Sequence, residues 1–265
     1  RWSLVRMAIE QSGHAAFRLR RTAAFMSLDP TEKGAVSYFL GMTFCKLFSA
    51  KLLDAPWLLH LDVFRDLLNA SWLGRSRPDL IGQVTNQNTW HAFESKGRAS
   101  VPDLVTKTKA KAQAQRLISV NGIACTLHIG AISFLRNDAL HFYWRDPEPE
   151  RLRPIEIPEI GDAWRYYYSP IADLLAQRDA IGMLEQENAF VPITEADVEV
   201  SVHPTIARVI FQSQWRRARE IASELAQQFL EAGYQPDGLQ IRAGDSWRRR
   251  FKDEWSEAEA GRTQP

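Results

Sequence analysis

Between Pro78 and Gly97 the chain reads PDLIGQVTNQNTWHAFESKG, and no other stretch constrains the fold as much. Two runs of strand character flank the turn-like TNQN, so the sequence predicts an antiparallel pair over about 78–84 and 89–96. Successive residues of a strand point to opposite faces. Trp90, Ala92, Glu94 and Lys96 therefore share one face, and His91, Phe93 and Ser95 share the other. With the turn centred between Asn86 and Gln87, Asp79 falls directly opposite Glu94, a placement that brings Cβ atoms to about 5 Å. A face carrying Trp90 and Ala92 is at least partly covered, and a covered carboxylate needs a partner.

Two facing carboxylates repel each other unless a proton or a cation lies between them. A hard divalent ion meets that need, because Mg2+ favours oxygen ligands and requires only one or two protein carboxylates besides water and phosphate oxygens. Asp79 and Glu94 are thus candidate metal ligands. Lys96 would stand beside a metal-activated water, orienting it or stabilising charge on an attacked phosphate. The combination suits phosphodiester hydrolysis. The plain alternative is a polar hairpin face with an ion pair in solvent.

Around the hairpin the chain reads as alternating helices and strands. SLVRMAIEQSGHAAFRLRRTAAFM has a helical period, and SLDPTE carries a start signal with Asp29 as N-cap, Pro30 at the first helical position and Glu32 closing a capping box. The helix that follows, about 30–53, is apolar around most of its circumference and is expected at the centre of the core. WLLHLDVF at 57–64 fits a buried strand or a short helix. A helix is predicted over about 103–119, then ACTLHIGAISF and ALHFYWR as strands. Residues 146–162, with their prolines and acids, read as a linker or surface excursion. Residues 163–188 and 204–233 read as helices, and a short strand pair follows. The order predicts an α/β fold with a mixed sheet flanked by helices, a helical N-terminal region and a mainly helical C-terminal extension. Its division falls at 1–145 and 146–265.

Pro78-Asp79 followed by Glu94-Ser95-Lys96-Gly97, placed as strand, turn, strand, helix and apolar strand, closely resembles the PD-(D/E)xK nuclease superfamily with its restriction-endonuclease-like fold. The resemblance covers about residues 35–145. It implies that Asp79 and Glu94 bind Mg2+, with Mn2+ as a substitute, and that Lys96 assists the nucleophile. It also implies a polar residue on the next helix, where Lys111 and Gln115 are favoured over Lys107. For an upstream acid Asp62 is the first candidate, with Glu32 and Asp66 behind it. The implied activity is a DNA endonuclease in bacterial defence, restriction or repair, acting as a homodimer or with a partner protein. The competing function is a non-cleaving nucleic-acid-binding or scaffold subunit of a larger complex.

The net charge of +1 says nothing about partners, but its distribution does. Lys96, Arg98, Lys107, Lys109, Lys111 and Arg116 face only Asp103 over that span, a pattern suited to a phosphate backbone. SWRRRFKDEW, with Trp247, Phe251 and Trp255, is a second basic cluster. WRYYY at 164–168 reads as a core plug or a partner surface. The six histidines have no metal-ligand spacing, and no P-loop or dinucleotide fingerprint is present. Cys45 and Cys125 suggest a reducing compartment. The opening RWSLVRMAIEQSGH is too polar for a signal peptide, and LLDAPWLLHLDVF carries Asp54, Pro56, His60 and Asp62. A cytoplasmic protein without a membrane span is expected.

Overall fold

SLDPTE starts a helix as the sequence predicts. Asp29 accepts hydrogen bonds from the backbone N–H groups of Thr31 (2.6 Å) and Glu32 (3.0 Å). The Glu32 carboxylate accepts the Asp29 N–H in return (3.0 Å). This capping box opens Pro30–Leu52. The structure, a computed structural model, describes residues 2–11, 18–63, 76–85, 87–145, 155–157, 162–177, 190–194 and 197–245.

The elements in the first part of the chain are α1 (Trp2–Ala8), β1 (Ile9–Gln11), β2 (Leu19–Arg21), α2 (Ala23–Ser27), α3 (Pro30–Leu52), β3 (Trp57–His60), β4 (Leu80–Gln83), β5 (Trp90–Arg98) and α4 (Leu104–Ala114). Then come β6 (Leu117–Val120), β7 (Ile123–Arg136), β8 (Ala139–Arg145), β9 (Ile155–Ile157) and α5 (Ala163–Ala176). The last are β10 (Val191–Ile193), β11 (Val198–Val202), α6 (Pro204–Phe211), α7 (Trp215–Glu224), α8 (Ala226–Glu231) and β12 (Leu239–Ala243). The main sheet runs β1-β2-β8-β7-β5-β4-β3, with β6 on β7 and β9 on β6, and β10-β11-β12 form a small second sheet. β5 and β7 are parallel, joined by α4 as crossover, whereas β3, β4 and β5 pair antiparallel. The chain is therefore α/β, with a mixed sheet flanked by helices. No described helix is long and apolar enough to cross a membrane.

Helix α3 lies on one face of β5 at unusually short range. A Cβ at Gly41 would come within 2.7 Å of the Gly97 nitrogen and the Lys96 carbonyl carbon, and a Cβ at Gly97 would overlap the Ser37 carbonyl. Only glycine at both positions lets the two backbones meet. The buried side of α3 is Val36, Ser37, Leu40, Gly41, Phe44, Cys45 and Ser49. Tyr38, Leu47 and Leu52 remain exposed. Helix α3, expected at the centre of the core, thus buries one stripe against the sheet and leaves other apolar residues exposed.

The alternation read along β5 sorts the core into two layers. Phe93 joins Cys45, Leu58, Leu80, Ile129 and Ala131 on the α3 side. Trp90 and Ala92 join Trp57, Leu59 and Ile81 on the other, where Trp164, Tyr168, Ile206 and Phe229 close the layer. Residues on either side of position 145 therefore share one apolar cluster. Trp90 stacks on Trp164 (6.1 Å between centroids, 19°), and the Arg219 guanidinium lies 3.7 Å from the Trp57 ring centroid. Within WRYYY, Trp164 and Tyr168 plug the core and Tyr166 is exposed.

Four expected elements differ, one of them the strand pair expected after residue 233, where the described strand is β12 alone, pairing with β11. The N-terminal helix gives way after Ala8 to the β1–β2 hairpin, held by the Glu10–Arg20 ion pair (2.7 Å) and by pairing of Arg20 with Ala139 of β8. A sheet edge has overridden the helical period here. Helix α4 stops at Ala114, because Leu117–Val120 turns back through Asn121-Gly122, both at positive φ, to pair with β7. Within the proline-rich stretch, Ile155–Ile157 adds a strand parallel to β6. SWRRRFKDEW lies outside the described residues.

Gly97→Ala is expected to cost about 3 kcal/mol of unfolding free energy in urea, since neither backbone can yield locally. Gly34→Ala on the same helix meets nothing within 4 Å and should gain about 0.5–1 kcal/mol. Equal effects in the two variants would overturn the contact.

Candidate active site

The hairpin register is the one the turn predicts. Leu80 pairs with Phe93 and Ile81 with Ala92, so Asp79, one residue ahead of β4, stands opposite Glu94. The Ser95 backbone N–H donates to Asp79 Oδ2 (2.9 Å), which locks that carboxylate across the pair. Lys96 Nζ pairs with Glu94 Oε1 and donates to Gln113 Oε1 (3.0 Å). Asp79, Glu94 and Lys96 are thus brought together at the edge of the layer closed by Trp90 and Trp164.

Glu94 is 1% exposed, and its Oε2 has no hydrogen-bond partner. Burial, then the charge of Asp79, pushes its carboxyl up to about 8, against the opposing pull of the Lys96 ammonium. The two influences conflict, and the upward direction prevails because a single partly exposed ammonium does not replace the lost hydration. Asp79 is raised as well, chiefly by burial; the Ser95 N–H, Lys96 and His60 pull the other way. Cys45, beneath the hairpin on the α3 side, is pushed far up by burial and by both carboxylates, so it is an inert thiol.

Helix α4 sits on β7 through Ala110 and Ala114, both fully buried. A Cβ at Gly130, the β7 residue beside Glu94, would lie 3.1 Å from the Lys111 nitrogen. The small residues fix which flank of α4 faces the trio, and that flank presents Gln113. Besides holding Lys96, Gln113 donates through Nε2 to the Arg77 carbonyl (3.3 Å). Lys111 and Gln115, expected to line the site, are each two residues from Gln113, about 200° around the helix. They fall on the flank turned toward β8, and Gln115 is the C-cap residue. The signal for Gln113 was the spacing of Ala110 and Ala114, which marks the sheet-facing side.

Asp62 is partly exposed and accepts the Arg77 Nε–H (2.6 Å). It acts on Asp79 only as a nearby charge, which makes it an ion-paired acid at the rim. Glu32 is spent on the α3 capping box, and Asp66 lies outside the described residues. Arg116 leaves the expected basic surface, for it is buried and its guanidinium donates to the Ser76 carbonyl. Gln113 and Arg116 together fasten the segment that delivers Asp79.

The donor set fits a hard cation. Two carboxylates face each other, one with a buried oxygen lacking any hydrogen bond, and a small divalent ion needs no third acid. Among the described residues no group of three or more His, Cys, Asp or Glu could hold a metal, so such an ion would complete its shell with water or substrate oxygens. Compared with protein families, curated proteins and solved structures, the chain matches none.

The raised carboxyls make metal-free stability fall with pH. The folded state keeps a proton on Glu94 that the unfolded chain releases near its ordinary value of 4.5, so stability is full below that value and declines as pH rises through about 8. Urea midpoints taken in EDTA between pH 5 and 9 should show this decline, and Glu94→Gln should flatten it. An unchanged slope in that variant would remove Glu94 as its source.

Proposed function

We propose that the protein is a divalent-metal-dependent nuclease with a restriction-endonuclease-like core, hydrolysing phosphodiester bonds of DNA. The observation that carries this reading is the opposition of Asp79 to Glu94, whose buried Oε2 has no partner, beside an anchored lysine. Burial of two adjacent carboxylates costs stability unless a cation joins them. The PD-(D/E)xK likeness of the motif supports the same conclusion, and a defence, restriction or repair setting rests on that likeness alone.

Asp79 and Glu94 would hold Mg2+, or Mn2+ in its place. When bound, the ion supplies Lewis acidity toward a phosphoryl oxygen and acidifies a water. The chain's own groups do the positioning. The Ser95 N–H fixes the Asp79 carboxylate, so its orientation does not depend on solvent. Gln113 holds Lys96 beside Glu94, where its ammonium would orient a nucleophilic water and stabilise charge on the attacked phosphate. Gln113 is a positioning residue acting through Lys96.

Purified protein incubated with plasmid and linear DNA should cut in Mg2+ or Mn2+ and not in EDTA. Asp79→Ala and Lys96→Ala should each lower the rate by at least about 100-fold. Mg2+ should also raise the thermal midpoint at pH 8 in the unmodified chain and not in Asp79→Ala, a readout independent of turnover. Cutting that survives EDTA or either substitution would overturn the reading.

A further inference from the structure

The flank of α4 opposite Gln113 faces β8, and it is built differently from the catalytic side. Lys107 Nζ lies 5.1 Å from the centroid of the Tyr143 ring, which places Lys107 over β8; Lys111 follows one turn on along α4. Register across the sheet aligns Lys96 with Ile132 and Tyr143, Glu94 with Gly130 and Arg145, and Arg98 with Phe134 and His141. His141, Tyr143 and Arg145 therefore project on the same side of the sheet as Glu94 and Lys96, with α4 lying between the two groups. Phe134 and His141 stack at 5.4 Å and 18°. His141 and Arg145 are exposed, and Phe134 and Tyr143 are half-buried.

The charge of this flank is mainly positive, with its acids at the ends, Asp103 capping α4 and Asp138 in the β7–β8 turn paired with Arg21. α4, β7 and β8 contain no aspartate or glutamate along their whole lengths, while Lys107 borders the Tyr143 ring, Lys111 lies one turn further along α4 and Arg145 two residues beyond Tyr143 on β8. Cations beside half-buried rings and an exposed imidazole suit a strand whose phosphates meet the cations and whose bases stack on the outer ring faces. A duplex gains little from such rings, because its bases are already stacked on one another.

We propose that the surface between α4 and β8 is a binding track for single-stranded DNA, lined by Lys107, Lys111, Phe134, His141, Tyr143 and Arg145. The track deepens the nuclease reading by naming its substrate class, single-stranded or unpaired DNA, and rests on that reading for what the bound strand is for. Binding itself does not require turnover. α4 is about 10 Å across, so a strand on this track lies one helix width from the Asp79–Glu94–Lys96 trio.

The test is a fluorescence-anisotropy titration of the full chain in EDTA with a labelled oligothymidylate, a blunt DNA duplex and an RNA strand of equal length. The single DNA strand should bind about tenfold more tightly than the duplex, and Tyr143→Ala should weaken it about tenfold while Tyr143→Phe retains it. Arg145→Ala, at an exposed position, should lower the slope of log affinity against log salt by about 0.7. Duplex binding as tight as single-strand binding, or neutral Tyr143→Ala and Arg145→Ala variants, would overturn the track. An RNA strand bound more tightly than DNA would overturn the assignment to DNA. Metal-dependent cutting with no ring-dependent binding would sink the track and leave the nuclease reading standing. Ring-dependent binding with no cutting would do the reverse.

Discussion

The contact between Gly41 and Gly97 governs the geometry of everything around it. β5 is central in the sheet, hydrogen-bonded to β4 on one side and β7 on the other. Its last residues are the ones whose side chains must be aimed. Because α3 meets β5 backbone to backbone just after Lys96, the strand cannot twist or lift at that point without displacing a 23-residue helix. Glu94 and Lys96 inherit that rigidity. Gly130 repeats the device on the other face, where it lets α4 come close enough for Gln113 to reach Lys96.

On such a scaffold the polar trio is an electrostatic liability. Glu94 is shielded from water, and Asp79 adds a like charge nearby. One ammonium offsets only part of this, and an oxygen is left without a hydrogen bond. Apolar residues of similar volume would stabilise the fold better. Ordinary hairpin ion pairs stay solvated and leave carboxyls near their usual values, so burial separates this hairpin from the plain polar alternative. Perturbed carboxyls on a rigid support are consistent with the proposed site.

How much of this was legible in the sequence depended on how local the signal was. The α3 start needed only Asp29, Pro30 and Glu32, and the β4–β5 register needed only the turn between Asn86 and Gln87. Both concern residues close in the chain, and the structure has them as read. The N-terminal hairpin was missed because Arg20 pairs with Ala139, far along the chain, and helical periodicity carries no trace of that edge. Asn121-Gly122, both at positive φ, is a two-residue hairpin signal that ends the α4 region in a turn. On α4 the residue that reaches Lys96 is Gln113, on the opposite flank from Lys111, and its position follows from Ala110 and Ala114 rather than from the charged and amide residues at i, i+4. On a crossover helix the small residues seat the helix, and they decide which polar residue faces the site.

The second half of the chain poses a different constraint. Its helices complete the layer that contains Trp57, Trp90 and Ala92, and Arg219 is inserted over Trp57 and near Trp164. Without that cover the two tryptophans of β3 and β5 would face water, at about 25 cal/mol for each Å² exposed. Glu94 stands two residues beyond Ala92 on the same face of β5. The motif-bearing strand is thus tied to residues far beyond the motif, because Trp164 of α5 stacks on Trp90, four residues before Glu94.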